Sequence, residues 1–286
     1  MAACCTAFRW EMCKGSMFDT VEQPSRSSSS ESNINDDEAR RIDIFDTFSP
    51  QPHVLHIGCK IGLIGWIASV MARSIMGFQY PSFWLAYLTH WSLVIAAAYI
   101  LMSTLSAVYL ATQTHSKCAE FKGGTGVLIN ITWALLAAAA PMEVTVTILY
   151  WVLEFKGTFS YVSIMTHGGV MILVMIDGFV LSRVPLRMKQ FVFFESFALV
   201  YCVWTLIHAY SGMGNPYAEG GEPTESDDAI YDSIAWKNNM KPTVILIVVL
   251  LLVANPIIFL FCRLLSRILP QRFSEKKARV LTTSNV

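Results

Sequence analysis

A chain of 286 residues that is 54% hydrophobic and only 15% charged lacks the polar residues to cover a water-soluble domain of its size. Its 21 basic and 21 acidic residues cancel, which argues against nucleic acid as a partner. Seven cysteines contain no CxxC pair and no regular framework, so neither a disulfide scaffold nor a redox motif is expected.

In chain order, residues 1–52 read as a disordered cytoplasmic tail. Arg26 to Ser32 is nearly all serine, and Asn35-Asp36-Asp37-Glu38 follows, a composition that cannot build a core. No cleavable signal peptide is expected, because the first long apolar run begins beyond residue 55. Six apolar runs follow near 58–79, 84–111, 126–153, 159–182, 190–210 and 242–264. Each meets the roughly 20 residues that a helix needs to cross a bilayer core. Trp84, Trp91, Tyr150, Trp151 and Tyr210 fall toward run ends, as in an interfacial aromatic belt. The fold class is therefore all-α, a polytopic bundle of six transmembrane helices over residues 53–265, with a basic cytoplasmic tail at 266–286.

Basic residues set the expected orientation. Arg40, Arg41 and Lys60 precede or open the first run, Lys117 and Lys122 separate the second and third, and Arg183, Arg187 and Lys189 separate the fourth and fifth. Six more, from Arg263 to Arg279, end or follow the last run, whereas the alternate loops are poor in positive charge. The positive-inside rule then places both termini in the cytoplasm.

The fourth run, from Phe159 to Ser182, carries His167, Gly168, Gly169 and Asp177. An ionisable residue at membrane depth is costly unless it faces protein or water, so it marks a candidate site. Runs two and four both enter from the non-cytoplasmic face, and helical rise puts Thr89 and His167 within about 5 Å in depth. Thr89 opens a face of small or polar residues with Ser92, Ala96 and Ser103, suited to close packing on a neighbouring helix. A threonine hydroxyl becomes a nucleophile when a base takes its proton, and histidine is the usual base. Residue chemistry alone leaves two plainer readings open: Thr89 bonding the carbonyl one turn back, and His167 bonding another helix.

Asp177 lies about 15 Å further along its helix than His167 and is not expected to touch it. Glu143 sits at a depth comparable to His167, where it would orient the imidazole or pair with Arg73; together those two would also suit a substrate carboxylate and its balancing charge. His208 lies near the outer interface and would line an entrance, and Gly168 and Gly169 remove bulk beside His167. Glu195 is expected near the basic loop before it, and Asn255-Pro256 to kink the sixth run. No metal-ligand spacing or cofactor motif is found, so neither a metal nor a cofactor is expected.

Several motifs carry a resemblance. Tyr87-Leu88-Thr89-His90-Trp91, His167 ten residues before Asp177, Val144-Thr145 through Tyr150-Trp151, Val184-Pro185-Leu186-Arg187, Trp204 to His208 followed by Ser211-Gly212, and Ile230-Tyr231 to Trp236 stand in the order found in androgen-induced and rolling-stone-like membrane proteins. The chain resembles that family over roughly residues 53–265. The resemblance implies six helices with cytoplasmic termini. From the androgen-induced branch it implies an intramembrane threonine hydrolase of fatty acid esters of hydroxy fatty acids, with Thr89 as nucleophile and His167 as base. The motifs are closer to the rolling-stone branch, whose members are associated with myoblast fusion. The alternative is thus a non-catalytic protein of cell–cell contact or fusion. Expected partners are a lipid or fatty acyl ester and the membrane lipids around it.

Overall fold

The computed structural model describes residues 54–113, 124–155, 157, 159–216 and 229–268. The serine-rich tail and most of the basic C-terminal tail lie outside the described residues. Among the described residues, six helices are long and apolar enough to cross a bilayer. They are α1 (Val54–Met76), α2 (Leu88–Gln113), α3 (Gly124–Leu149, continued by a π turn Tyr150–Glu154), α4 (Tyr161–Leu181), α5 (Phe191–Ser211) and α6 (Met240–Ile268). Each agrees with a predicted run to within a few residues, save that the second helix begins at Leu88 rather than 84. Pro81 opens a 3-10 turn, Pro81–Ala86, and Tyr87 is extended, so the chain changes direction before α2 starts.

Apolar side chains surround most helices instead of forming one stripe. Leu101, Leu105, Ile245, Leu252 and Ile257 all point outward from the bundle. In water such a surface would drive association; facing lipid it needs no cover. Polar groups are instead gathered inward. Buried Ser103, Ser106, Thr132 and Asp177 all lie between helices, and Ser106 bonds Thr132 at 3.0 Å across α2 and α3.

Helix α3 is the hub. Its span is 67% buried against 17% for α1, because Ala137 to Ala140 present almost no bulk and let neighbouring backbones approach closely. Peripheral α1 is held by an ion pair. Lys60 Nζ donates to Asp177 Oδ1 at 2.6 Å on α4, to Ser103 Oγ at 2.6 Å on α2 and to Ser182 Oγ at 2.9 Å. Tyr99 OH and Ser103 Oγ donate to Asp177 Oδ2, each at 2.7 Å. Every proton of the ammonium has an acceptor, the condition under which a charge can stay buried. Lys60, counted from sequence among the charges that orient the chain, is thus an interior residue.

Among the described residues, four π turns interrupt the helices: Tyr150–Glu154, Met165–Gly169, Ile176–Leu181 and Leu250–Ala254. One of them, Leu250–Ala254, ends one residue before Asn255. Asn255 Nδ2 donates to Glu195 Oε2 at 3.1 Å, so Glu195 has a partner on α6.

Candidate functional site

At the end of the bundle where α2 and α4 begin, the helices part around a cavity of about 690 Å³. That volume falls in the range of small-molecule sites. Thr89, His90, Tyr150, His167, Tyr201 and Tyr231 all line it. Met142 and Glu154, also in its wall, are twelve residues apart on α3 and its π turn, so the cavity extends about 18 Å along the bundle.

Thr89 sits in the first turn of α2, and its surroundings remove the usual partner of a helical threonine. Thr104, Thr132, Thr145, Thr147 and Thr166 each donate to the carbonyl four residues back. For Thr89 that carbonyl belongs to Leu85, which accepts from Trp91 Nε1 at 2.6 Å instead. The two adjoining carbonyls are also taken. Trp84 O bonds His90 Nδ1, while Ala86 O accepts from Tyr201 OH at 2.9 Å and Trp204 Nε1 at 3.3 Å. The Thr89 hydroxyl is left to the cavity side, within reach of the Tyr231 oxygen. Back-bonding, the plainer sequence reading, does not occur here.

His167 occupies the π turn Met165–Gly169 with φ −110° and ψ 19°, outside helical values. Its ring stacks on Tyr150 with centroids 3.5 Å apart and an interplanar angle of 2°. Its carbonyl accepts from Trp151 Nε1 at 2.9 Å. Two aromatic residues of α3 therefore fix both ring and backbone, yet Nδ1 is buried without a hydrogen-bond partner among the described residues. Such an orphan is uncommon in native interiors and is expected where chemistry or a ligand uses the atom.

His90, the neighbour of Thr89, is a second imidazole in the same wall. It stacks on Trp84 at 4.3 Å. Because a carbonyl only accepts, its bond to Trp84 O assigns the proton to Nδ1 and leaves the lone pair on Nε2. His90 and His167 are close enough to interact electrostatically. Trp84, placed from sequence in an interfacial belt, is buried; it supports His90 and donates to Ser74 Oγ at 3.0 Å.

The segment before α6 closes this end. Tyr231 OH accepts from Leu88 N at 3.0 Å, satisfying one of the orphan donors in the first turn of α2. Its ring meets Tyr87 edge-on at 5.6 Å. Burial pushes the Tyr231 phenol up to about 12, so it stays protonated at neutral pH. Ser233 Oγ donates to Glu154 Oε1 at 2.9 Å and Trp236 Nε1 to Thr205 Oγ1 at 3.1 Å, so three side chains tie the segment to three helices.

The remaining candidates lie elsewhere. Arg73 is exposed, its guanidinium 5.2 Å from the Tyr161 ring centroid, and it makes no ion pair with Glu143. Glu143 is buried outside the cavity wall beside Ser92, with neither carboxylate oxygen hydrogen-bonded; it does not orient His167. The nearby Ser92 hydroxyl donates to Thr89 O at 2.9 Å. His208 is buried against Phe83, ring centroids 5.3 Å apart, and lines a separate cavity of about 450 Å³. Gly168 and Gly169 do not line the main cavity. A Cβ at Gly168 would meet nothing, whereas one at Gly169 would come within 2.9 Å of Met165 Sδ, so Gly169 serves the packing of its own turn. Among the described residues no three His, Cys, Asp or Glu side chains converge as metal ligands would.

Sequence comparison gives two matches. A family model described as protein rolling stone matches residues 61–279. Protein rolling stone of Drosophila melanogaster is 24% identical over 189 residues, covering 61% of this chain and 64% of that protein. The matched region thus spans a little under two thirds of the relative's length. No solved structure matches.

Proposed function

The chain belongs to the protein rolling stone family and is a multi-pass membrane protein; from that premise we propose that it hydrolyses a fatty acyl ester within the membrane, with Thr89 as nucleophile and His167 as base. One observation carries the reading. A threonine released from helical back-bonding and a histidine with an unpartnered ring nitrogen share one cavity wall, and that cavity suits an acyl chain.

The steps follow from ordinary acyl transfer. His167 takes the hydroxyl proton of Thr89 as Oγ attacks the ester carbonyl. Collapse of the tetrahedral species breaks the ester C–O bond, and the departing alkoxide takes the proton from the imidazolium. Water then gives a proton to His167 and attacks the acyl-threonine carbonyl. The second collapse releases the fatty acid and returns the proton to Thr89 Oγ. The stacked Tyr150 ring holds the imidazole in one plane throughout, so each transfer starts from the same orientation. In the orientation that the basic residues favour, the cavity end of the bundle faces away from the cytoplasm and water enters from that side.

The contact-protein alternative needs no cavity, and it assigns no role to a buried, unpartnered imidazole nitrogen. The test is hydrolysis of a fluorogenic fatty acyl ester by purified protein in detergent, comparing the wild type with Thr89→Ala, His167→Ala and Thr89→Ser. Thr89→Ala and His167→Ala should each lose at least about 100-fold in rate, the usual scale of acid–base catalysis, while Thr89→Ser keeps measurable turnover. Equal rates in all four proteins would refute the reading.

A further inference from the structure

The second cavity, of about 450 Å³, lies on the flank of the bundle between α2, α5 and the 3-10 turn Pro81–Ala86. Phe83, Trp91, Phe197 and Trp204 give it aromatic walls. The rings run together: the Trp91 centroid is 5.9 Å from Phe197 and 6.2 Å from Trp204. Leu85, Val94 and Met213 line the recess and are also exposed, so it is continuous with the apolar exterior that faces lipid. Phe197 and His208, both in its wall, are eleven residues apart on α5. That is about 16 Å by helical rise, close to one leaflet of a bilayer core roughly 30 Å thick. Ser82, in the turn before α2, brings a hydroxyl to the end nearest the helix termini.

A membrane lipid covers such a recess, because bare apolar walls would forfeit their dispersion contacts. Its form selects among lipids. Flat aromatic walls suit a rigid fused-ring body, which makes contact over a whole face. A rigid body also has few rotatable bonds to immobilise, whereas an acyl chain loses that freedom on binding. One hydroxyl at the interfacial end matches the one hydroxyl of a sterol, since each can donate to or accept from the other.

The occupant also bears on Thr89. Trp91 Nε1 donates to Leu85 O at 2.6 Å, and Trp204 Nε1 donates to Ala86 O at 3.3 Å. Both indoles line the recess while their N–H groups fasten the 3-10 turn to α2 and α5. That turn leads straight into α2, so the same two bonds fix the first turn of the helix, where Thr89 stands. We infer that the recess is a sterol site, and that a bound sterol steadies both indoles on their carbonyls and so holds Thr89 in its working position. The binding stands on the recess alone; its effect on catalysis rests on the hydrolase reading.

The test places the full chain in phosphatidylcholine nanodiscs with a photoactivatable cholesterol analogue, and mass spectrometry locates the label. Label should fall within residues 82–95 and 197–213, and cholesterol should displace it at least fivefold better than its 3α-hydroxy epimer. Val94→Trp fills the recess from an exposed position and should cut labelling at least tenfold, with the melting point confirming an intact bundle. Trp91→Phe keeps an aromatic wall but removes the N–H, so its labelling should stay within twofold of the wild type. With the fluorogenic ester, cholesterol should raise the wild-type rate at least threefold, the epimer should not, and Trp91→Phe should lose the response. Label spread over other helices, or displaced equally by the epimer, overturns the sterol site. So does an acyl-chain phosphatidylcholine probe that labels the recess and resists displacement by cholesterol. Localised, displaceable label without hydrolysis in any protein retires the Thr89 mechanism and keeps the site. Hydrolysis that cholesterol leaves unaltered, with the label in place, overturns the coupling.

Discussion

Removing one partner of the Lys60–Asp177 pair should cost far more than any surface change, and the structure indicates how much. Both side chains are almost fully buried, at 1% and 0% exposure, and their charged atoms lie 2.6 Å apart. Asp177→Asn keeps the side-chain shape and a carbonyl acceptor but removes the negative charge that balances the ammonium, leaving it among neutral acceptors that include Ser103 and Ser182. Lys60→Met keeps most of the stem and leaves a carboxylate held only by Tyr99 and Ser103. Leaving one charge of a buried pair uncompensated costs about 3–5 kcal/mol. At about 2–4 °C per kcal/mol for a domain of this size, each single variant should melt roughly 6–20 °C below the wild type. The double variant Lys60→Met with Asp177→Asn has no orphaned charge. It should recover much of the loss, with a coupling energy of about 2–3 kcal/mol. Thermal unfolding in detergent, followed by tryptophan fluorescence, reads all four proteins. Single variants that melt within about 2 °C of the wild type, or a double variant whose loss equals the sum of the singles, would refute the claim that this pair anchors α1.

Other outcomes follow from the same packing. A methyl group at Gly178 would lie 2.6 Å from Leu136 Cδ1 and 3.4 Å from Tyr99 OH, so Gly178→Ala should cost about 1–3 kcal/mol, whereas Gly168→Ala, with open space around it, should leave the melting point unchanged. Tyr150→Leu removes the ring stacked on His167; it should destabilise by about 0.5–1.5 kcal/mol and lower kcat of ester hydrolysis more than it changes KM. Burial raises the folded-state pKa of Tyr231 to about 12, above that of an exposed phenol. Stability is therefore unaffected by this group below about pH 10 and falls between about 10 and 12, where the unfolded chain loses the proton first. Tyr231→Phe should remove that part of the alkaline slope in a melting-point titration, and an unchanged slope would show that the phenol is solvated.

Six membrane-length helices are legible in the sequence because an apolar run of this length is seldom anything but a bilayer span. The interior of the bundle is harder to read. On a helix apolar all round, periodicity does not separate an inward from an outward residue, and so Lys60 reads with the loop charges although it meets a partner 117 residues away. Thr89 and His167 are legible as a pair through resemblance and matched depth, and they do share a cavity wall. Their supports are not. Tyr150 reads as a belt aromatic, and only the fold brings it flat against His167. His90 adjoins Thr89, but adjacent residues on a helix normally face about 100° apart; stacking on Trp84 in the preceding turn brings it into the same wall. Tyr231 stands in the sequence only as part of a short motif, and its bond to Leu88 spans 143 residues. The π turns leave no sequence signal, since whether a turn closes on the fourth or the fifth residue depends on what packs around it.

Three of those wide turns, at Tyr150–Glu154, Met165–Gly169 and Leu250–Ala254, contribute residues to the cavity wall. A π turn holds one residue more than the α-helical ladder requires. Deleting a single codon within Leu250–Ala254 would let α6 close into a regular helix, reshaping the wall at that turn while Asn255 keeps nearly its present phase toward Glu195. The inner shape of the bundle can therefore change over generations in discrete steps, through in-frame insertions and deletions of one residue, while the lipid-facing exterior, apolar on every side, registers almost no difference.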